Sequence, residues 1–208
     1  MKKIVLVVLA ISATFLFTSC SDFWDNLFGR ITGNATATVN GKSMDFSSSI
    51  VMIDKKATPK YAVGLGTVMD IDDLLKIEKE NDIVYPVFCY RLTGDNIKTG
   101  ATLTANNTLT EEDFVDFDYT SIINGQFSDN QVVGIAESDT KFYVMSSGTI
   151  KLDKVKATKV VGSYSGSAYV IDRNADPVIA EEQVAISGTF ISRVTPIKSW
   201  ISRLQKKH

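Results

Sequence analysis

Residues 34–46 read Asn-Ala-Thr-Ala-Thr-Val-Asn-Gly-Lys-Ser-Met-Asp-Phe, and this stretch decides the fold class. Residues 35–39 and 42–46 are both strand-like, and only Asn40 and Gly41 separate them. Asn-Gly between two such runs is the strongest short-range signal for a β-hairpin, because its two-residue turn needs positive φ at both positions. The folded part of the chain is therefore expected to begin with an antiparallel pair of strands.

Similar runs recur further along the chain. Residues 47–49 are expected to continue the second strand, with 50–53 as its apolar end. Residues 70–80 favour a short helix or turn, and residues 93–113 a long loop with one short extended piece. The remaining strand-like runs are residues 60–68, 83–92, 119–123, 131–137, 141–152, 157–171 and 183–194.

The connections between these runs are short, which predicts an antiparallel meander. Eight or nine strands in about 160 residues fit an all-β domain, either a β-sandwich or a small barrel, and the strand count does not separate the two. The similar glycine-containing segments at 147–150, 162–166 and 187–190 predict matching bends at glycine in neighbouring strands. Thr110 with Asp113 predicts a capping box with Asp in place of Glu.

In the last residues, the spacing of apolar side chains changes from that of a strand to that of a helix. Pro196 can open a helix, and Ile197, Trp200, Ile201 and Leu204 follow at i, i+3, i+4 and i+7. Residues 196–208 are thus expected to form a short, basic, amphipathic C-terminal helix. Such a helix can lie on a bilayer, or it can cap an open end of the β domain.

The first residues have the layout of a secretory signal peptide. Lys2 and Lys3 precede an apolar run at 4–17 that is too short for a comfortable transmembrane helix. Thr18 and Ser19 then stand before Cys20.

This order resembles the lipobox of bacterial lipoproteins, although Phe17 stands where the commonest box has Leu. In that family the cysteine receives a diacylglycerol and the chain is cut before it. The resemblance implies a signal peptide at 1–19, a lipidated tether at 20–33 attached through Cys20, and a β domain at 34–195. The sequence Thr18-Ser19-Cys20-Ser21-Asp22 resembles that of small envelope lipoproteins of Bacteroidota. It implies export and anchoring to a bacterial membrane, most simply the outer membrane, but no mechanism.

The tether carries apolar residues of its own. Phe23, Trp24, Leu27 and Phe28 share one helical face, and they either touch the membrane interface or pack on the β domain. Trp favours such interfaces, and one Trp stands near each end of the mature chain. The candidate membrane contacts are Phe23, Trp24, Phe28, Ile197, Trp200, Ile201 and Leu204.

Charge is unevenly distributed along the mature chain. Without Lys2 and Lys3, 20 basic and 24 acidic residues remain, a net charge of −4. Residues 193–208 hold five basic residues and no acid, which leaves −9 on residues 20–192. With Cys20 lipidated, Cys89 has no disulfide partner, and its apolar surroundings predict a buried small hydrophobe.

Few residues point to catalysis. His208 is the single histidine and ends the chain, which argues against a nucleophile–histidine site and a zinc site. Acidic clusters are usually solvated loops, although they can bind Ca²⁺ or, as a pair across a cleft, hydrolyse a glycoside. The two clusters are Asp70, Asp72 and Asp73, and Glu111, Glu112, Asp113, Asp116 and Asp118.

The sequence therefore predicts a non-enzymatic, membrane-anchored envelope lipoprotein that binds a protein, a small molecule or a glycan. No cofactor, no metal and no nucleic acid partner is expected. The alternatives are a fimbria-like or other structural surface subunit, favoured by an exposed strand edge, and a carboxylate-based glycan hydrolase. A roomy apolar pocket inside a closed barrel would favour ligand carriage.

Overall fold

The structure, a computed structural model, describes residues 33–68, 86–114, 121–122, 125 and 131–195. The predicted signal peptide, the tether, the helix at 70–80 and the C-terminal helix lie outside these residues. A 3₁₀ helix spans Glu111–Phe114. The strands are β1 (Asn34–Val39), β2 (Lys42–Phe46), β3 (Ser48–Asp54), β4 (Tyr61–Thr67), β5 (Val87–Thr93), β6 (Ala101–Asn106), β7 (Val132–Ala136), β8 (Lys141–Val155), β9 (Lys159–Asp172) and β10 (Val184–Val194).

Seven of these strands close a barrel in the order β3, β4, β5, β7, β8, β9 and β10. Neighbouring strands are antiparallel along this path. The barrel closes where β10 meets β3 in parallel, at Arg193 opposite Ile50 and Val194 opposite Val51. The β1–β2 pair continues the sheet beside β10, and β6 pairs with β8. The predicted all-β antiparallel meander is confirmed, and it forms a barrel.

The predicted hairpin at Asn40 and Gly41 is also present. Val39 lies opposite Lys42, so two residues make the turn. Asn40 has φ 46° and Gly41 has φ 80°, the positive values that this turn requires and that Asn and Gly adopt most easily.

The prediction that residues 47–49 continue β2 is wrong. The chain bends at Ser47, whose hydroxyl donates to the carbonyl of Val68 at 2.7 Å, and β3 then pairs with β4 and β10. Phe46 of β2 packs in the interior beside β1, whereas β3 is buried on both faces in the barrel wall. One continuous strand could not place its residues in both locations. Within residues 93–113, the predicted short extended piece is the six-residue strand β6, which brings the described total to ten.

The strand predicted at 119–123 is wrong where the structure describes it, since Ser121 and Ile122 are helical. Ile122 is buried against Cys89 and Gly134 on the outside of the barrel wall. One helical turn buries this side chain as well as a strand would, and a short apolar run does not distinguish the two.

Apolar side chains pack on both faces of the wall formed by β3, β4, β5, β7 and the first half of β8. The inner cluster contains Phe88 and Tyr90, and the outer cluster contains Val87 and Cys89. All seven residues of β5 are therefore buried, and its first four, Val87 to Tyr90, read as a continuous apolar run rather than as an alternation.

Aromatic rings occupy the barrel interior and lie over glycines of neighbouring strands. Tyr90 is opposite Gly64, Phe190 is opposite Gly162 and Tyr164 is opposite Gly188. A Cβ at Gly64 would lie 2.0 Å from a ring carbon of Tyr90, so only glycine leaves room for the ring. Ring centroids in this cluster are 4.6 to 6.2 Å apart. One predicted match between strand glycines is present, since Gly148 lies opposite Gly166.

Candidate functional site

An open cleft lies between the tip of the β1–β2 hairpin and the β7–β8 turn. Its volume is about 350 Å³. Strand ends meet here because the turns of an antiparallel meander alternate between the two ends of a barrel. The lining residues are Val39, Asn40, Lys42, Glu137, Lys141, Tyr143, Val170 and Val184.

The β7–β8 turn holds two charged residues of the cleft in place. The backbone N–H of Glu137 donates to the carbonyl of Lys141 at 2.9 Å. Inside the turn, the Ser138 hydroxyl accepts the N–H groups of Thr140 at 3.3 Å and Lys141 at 3.0 Å. The backbone thus fixes Glu137 and Lys141 on either side of the turn.

Glu137 is the centre of the polar wall. One carboxylate oxygen accepts a charge-assisted hydrogen bond from Lys42. The other accepts the Tyr143 hydroxyl at 2.7 Å and lies 3.6 Å from the Lys141 ammonium. The hydrogen bonds from Lys42 and Tyr143 lower the pKa of Glu137 to about 2. A carboxylate held ionised in this way is unsuited to general acid catalysis at neutral pH.

The partners of Glu137 keep their protons for related reasons. Burial, and then the bond to Glu137, raises the pKa of Tyr143 above its ordinary value. The bond to Glu137 also raises the pKa of Lys42. The Lys42 side chain is 68% exposed and that of Lys141 is 40% exposed, so both ammonium groups reach solvent. Each has three N–H donors, and only one is needed for Glu137.

The apolar wall of the cleft contains Val39, Val170 and Val184; Val39 lies beside Lys42 and Val170 beside Tyr143 in the strand register. Asp172 lies opposite Lys141 in the β8–β9 register, so its negative charge offsets the positive charge of that lysine in the net charge of the cleft. The cleft is therefore distinguished by exposed hydrogen-bond donors beside an apolar wall, rather than by a large net charge. A ligand that suits it carries acceptor oxygens on a small apolar body.

No local pattern in the sequence marks the cluster of Lys42, Glu137, Lys141 and Tyr143. Lys42 and Glu137 are 95 positions apart, and only the closed barrel brings them together. The predicted site residues, Cys20 and the candidate membrane contacts at both ends of the chain, lie outside the described residues.

Cys89 is buried, as the sequence predicts, with its thiol 3.6 Å from the carbonyl of Gly134. Asp113 accepts the N–H of Thr110 at 2.7 Å and its hydroxyl at 3.0 Å. The N–H of Asp113 donates to the Thr110 carbonyl at 3.1 Å, so one half of the predicted capping box is present.

Asp70, Asp72, Asp73, Asp116 and Asp118 lie outside the described residues. Among the residues that are described, His, Cys, Asp and Glu form no group of three or more that could hold a metal ion.

Comparison with known proteins gives no assignment: no family model matches the chain, and no match is found among the curated proteins or the solved structures. Within the ranges that the structure describes, no helix has the length and apolarity needed to cross a bilayer.

Proposed function

We propose that this chain is an exported, lipid-anchored envelope protein that binds a small acceptor-bearing molecule without transforming it. The order of charge, apolar run, small residues and Cys20 supports the anchor. The binding role rests on one observation: Lys42 and Lys141 share one carboxylate, Glu137, and keep exposed N–H donors beside three valines.

The dimensions of the cleft suit a small ligand. Its volume of about 350 Å³ is at the lower end of the range for small-molecule sites. Both oxygens of Glu137 are already engaged, so the groups left to bind a ligand are mainly donors. A carboxylate on a short alkyl chain meets both walls, with its oxygens on the lysines and its chain on the valines.

The same geometry supports a binding role over hydrolysis. A two-carboxylate mechanism needs a protonated acid on one side of the bond. Glu137, the carboxylate that lines the cleft, has a pKa of about 2 and stays ionised.

Nuclear magnetic resonance titration with hexanoate tests the binding role. Shifts are expected at Lys42, Lys141, Tyr143 and Val170, and Lys141→Ala is expected to weaken binding about ten-fold, the loss of one charge-assisted contact of about 1.5 kcal/mol. Lys151→Ala is the matched control, because Lys151 is an exposed lysine of the same strand outside the cleft. Equal weakening by both variants, or shifts spread over the whole barrel, would refute the site.

A separate measurement tests the anchor. Cells expressing the full chain are fed an alkyne-labelled palmitate, and the mature protein is expected to carry the label. Cys20→Ser should abolish the labelling. Label retained in the Cys20→Ser variant would contradict attachment at this residue.

A further inference from the structure

Charged side chains are sorted by the two ends of the barrel. One end, called the basic end here, contains the β3–β4, β5–β6 and β8–β9 connections and the last residues of β10. The other, the cleft end, contains the β1–β2, β7–β8 and β9–β10 connections. Each set of turns lies together because the strands between them alternate in direction.

Among the residues that the structure describes, the basic end has eight exposed or half-exposed basic residues against three acidic ones, Asp54, Asp95 and Asp153, a surplus of five positive charges. Within this end, Lys60 forms an ion pair with Asp95 at 2.9 Å. The basic residues are Lys55, Lys56, Lys60, Lys98, Lys154, Lys156, Lys159 and Arg193.

The cleft end has the opposite balance. Its described basic residues are Lys42, Lys141 and Arg173, and its six described acidic residues give it a surplus of three negative charges. The acidic residues are Glu137, Asp139, Asp172, Asp176, Glu181 and Glu182. The described barrel is thus an electrostatic dipole along its own axis.

β1 begins and β10 ends on the basic side of the barrel. β1 begins at Asn34, opposite Ile191, and β10 ends three residues further on, at Val194. In sequence, Cys20 precedes Asn34 by 14 positions, which can span at most about 50 Å. After Val194, the sequence adds Lys198, Arg203, Lys206 and Lys207 without an acid.

We propose that the basic end is a docking surface for an anionic phospholipid bilayer. This inference rests on the proposed lipid anchor at Cys20, which would hold the barrel within reach of the membrane. Lysines near an anionic leaflet attract it over about a Debye length. The acidic cleft end is repelled by the same surface, so both forces favour the orientation in which the basic end faces the bilayer. The cleft then faces away from the bilayer and is open to ligands.

Co-sedimentation with vesicles tests the docking surface on the full mature chain with Cys20→Ser, which removes the lipid. Phosphatidylglycerol vesicles are compared with phosphatidylcholine vesicles. The test variant is Lys56→Gln with Lys156→Gln, in two different turns of the basic end. The matched control is Lys141→Gln with Arg173→Gln, which removes the same charge from the cleft end.

Binding is expected to phosphatidylglycerol and not to phosphatidylcholine. The test variant should bind about 30-fold more weakly, because each lysine near such a surface contributes about five-fold. The control should lose less than three-fold. Equal losses in the two variants, or no loss in either, would overturn the docking surface. Palmitate labelling at Cys20 would be unaffected in that case, so a failure here is distinct from a failure of the anchor.

Discussion

Replacing Gly64 by Ala tests how closely the barrel interior is filled. The new Cβ would stand 2.0 Å and 2.2 Å from two ring carbons of Tyr90, well inside van der Waals contact. Tyr90 is fully buried, and its ring centroid is 4.6 Å from that of Phe190 and 5.7 Å from that of Phe88. The ring therefore cannot move aside without displacing a second ring.

Overpacking of a buried site costs about 1–3 kcal/mol, and this contact is at the upper end of that range. Ala recovers about 0.5–1 kcal/mol relative to Gly in a strand interior. Gly64→Ala is therefore expected to lower the free energy of unfolding by about 2 kcal/mol. In a Tyr90→Ala background the ring is gone, and the same change should be neutral or slightly stabilising.

Urea denaturation followed by circular dichroism measures both effects as a double-mutant cycle. The expected coupling energy between the two positions is about 2–3 kcal/mol. A cost below about 0.5 kcal/mol for Gly64→Ala, or the same cost in both backgrounds, would refute the reasoning. Either result would mean that the interior has free space, and it would favour ligand carriage inside the barrel over binding in the cleft.

Three further predictions concern single residues. Because the folded pKa of Glu137 is about 2, below its ordinary value, its stabilising effect is complete above about pH 4.5 and is lost as the pH falls towards 2. Urea unfolding at several pH values should show a smaller loss for Glu137→Gln than for the wild type, and parallel losses would contradict this. The thiol of Cys89 should react with a disulfide reagent only on unfolding, because it is 1% exposed; rapid reaction of the native protein would refute its burial. Asn107→Ala should cost about 1–3 kcal/mol in urea unfolding, since its side-chain amide donates to the carbonyls of Gln131 at 3.1 Å and Met145 at 2.8 Å; a neutral substitution would contradict that role.

Local signals in the sequence were sufficient for much of the fold. Asn40-Gly41 predicts its turn because few other dipeptides adopt positive φ twice. Short connections predict antiparallel neighbours. The parallel contact of Arg193 with Ile50 that closes the barrel has no local signal, because it joins residues from opposite ends of the domain. The choice between sandwich and barrel depended on that contact.

Burial on both faces explains the error at residues 47–49. Period-two alternation identifies a strand with one wet face, and the first five residues of β3 have none, since all of them are buried. Ile122 belongs to the outer apolar layer and is helical, although the composition of the run 119–123 resembles that of the strands. The cleft was invisible for a different reason, because Lys42 and Glu137 become neighbours only through the closed sheet.

One signal of the charge pattern could have been read from the sequence. Lysine-rich turns at 55–60 and 154–159 alternate along the chain with acidic turns at 137–140 and 172–182. Successive turns of a meander lie at opposite ends, so this alternation predicts charge separation between those ends once the strands are assigned. Net charge over residues 20–192 conceals it, because the sum does not record position.

Paramagnetic relaxation on bilayers tests the whole account most directly. The lipidated full-length mature protein is placed on phosphatidylglycerol-containing nanodiscs with nitroxide-labelled headgroups, and backbone amide signals are compared with those on unlabelled discs. Strong broadening is expected at Lys56, Lys98 and Lys156 of the basic end, and little at Asn40 and Asp139 of the cleft end. Broadening at the cleft end, or equal broadening at both ends, would contradict it.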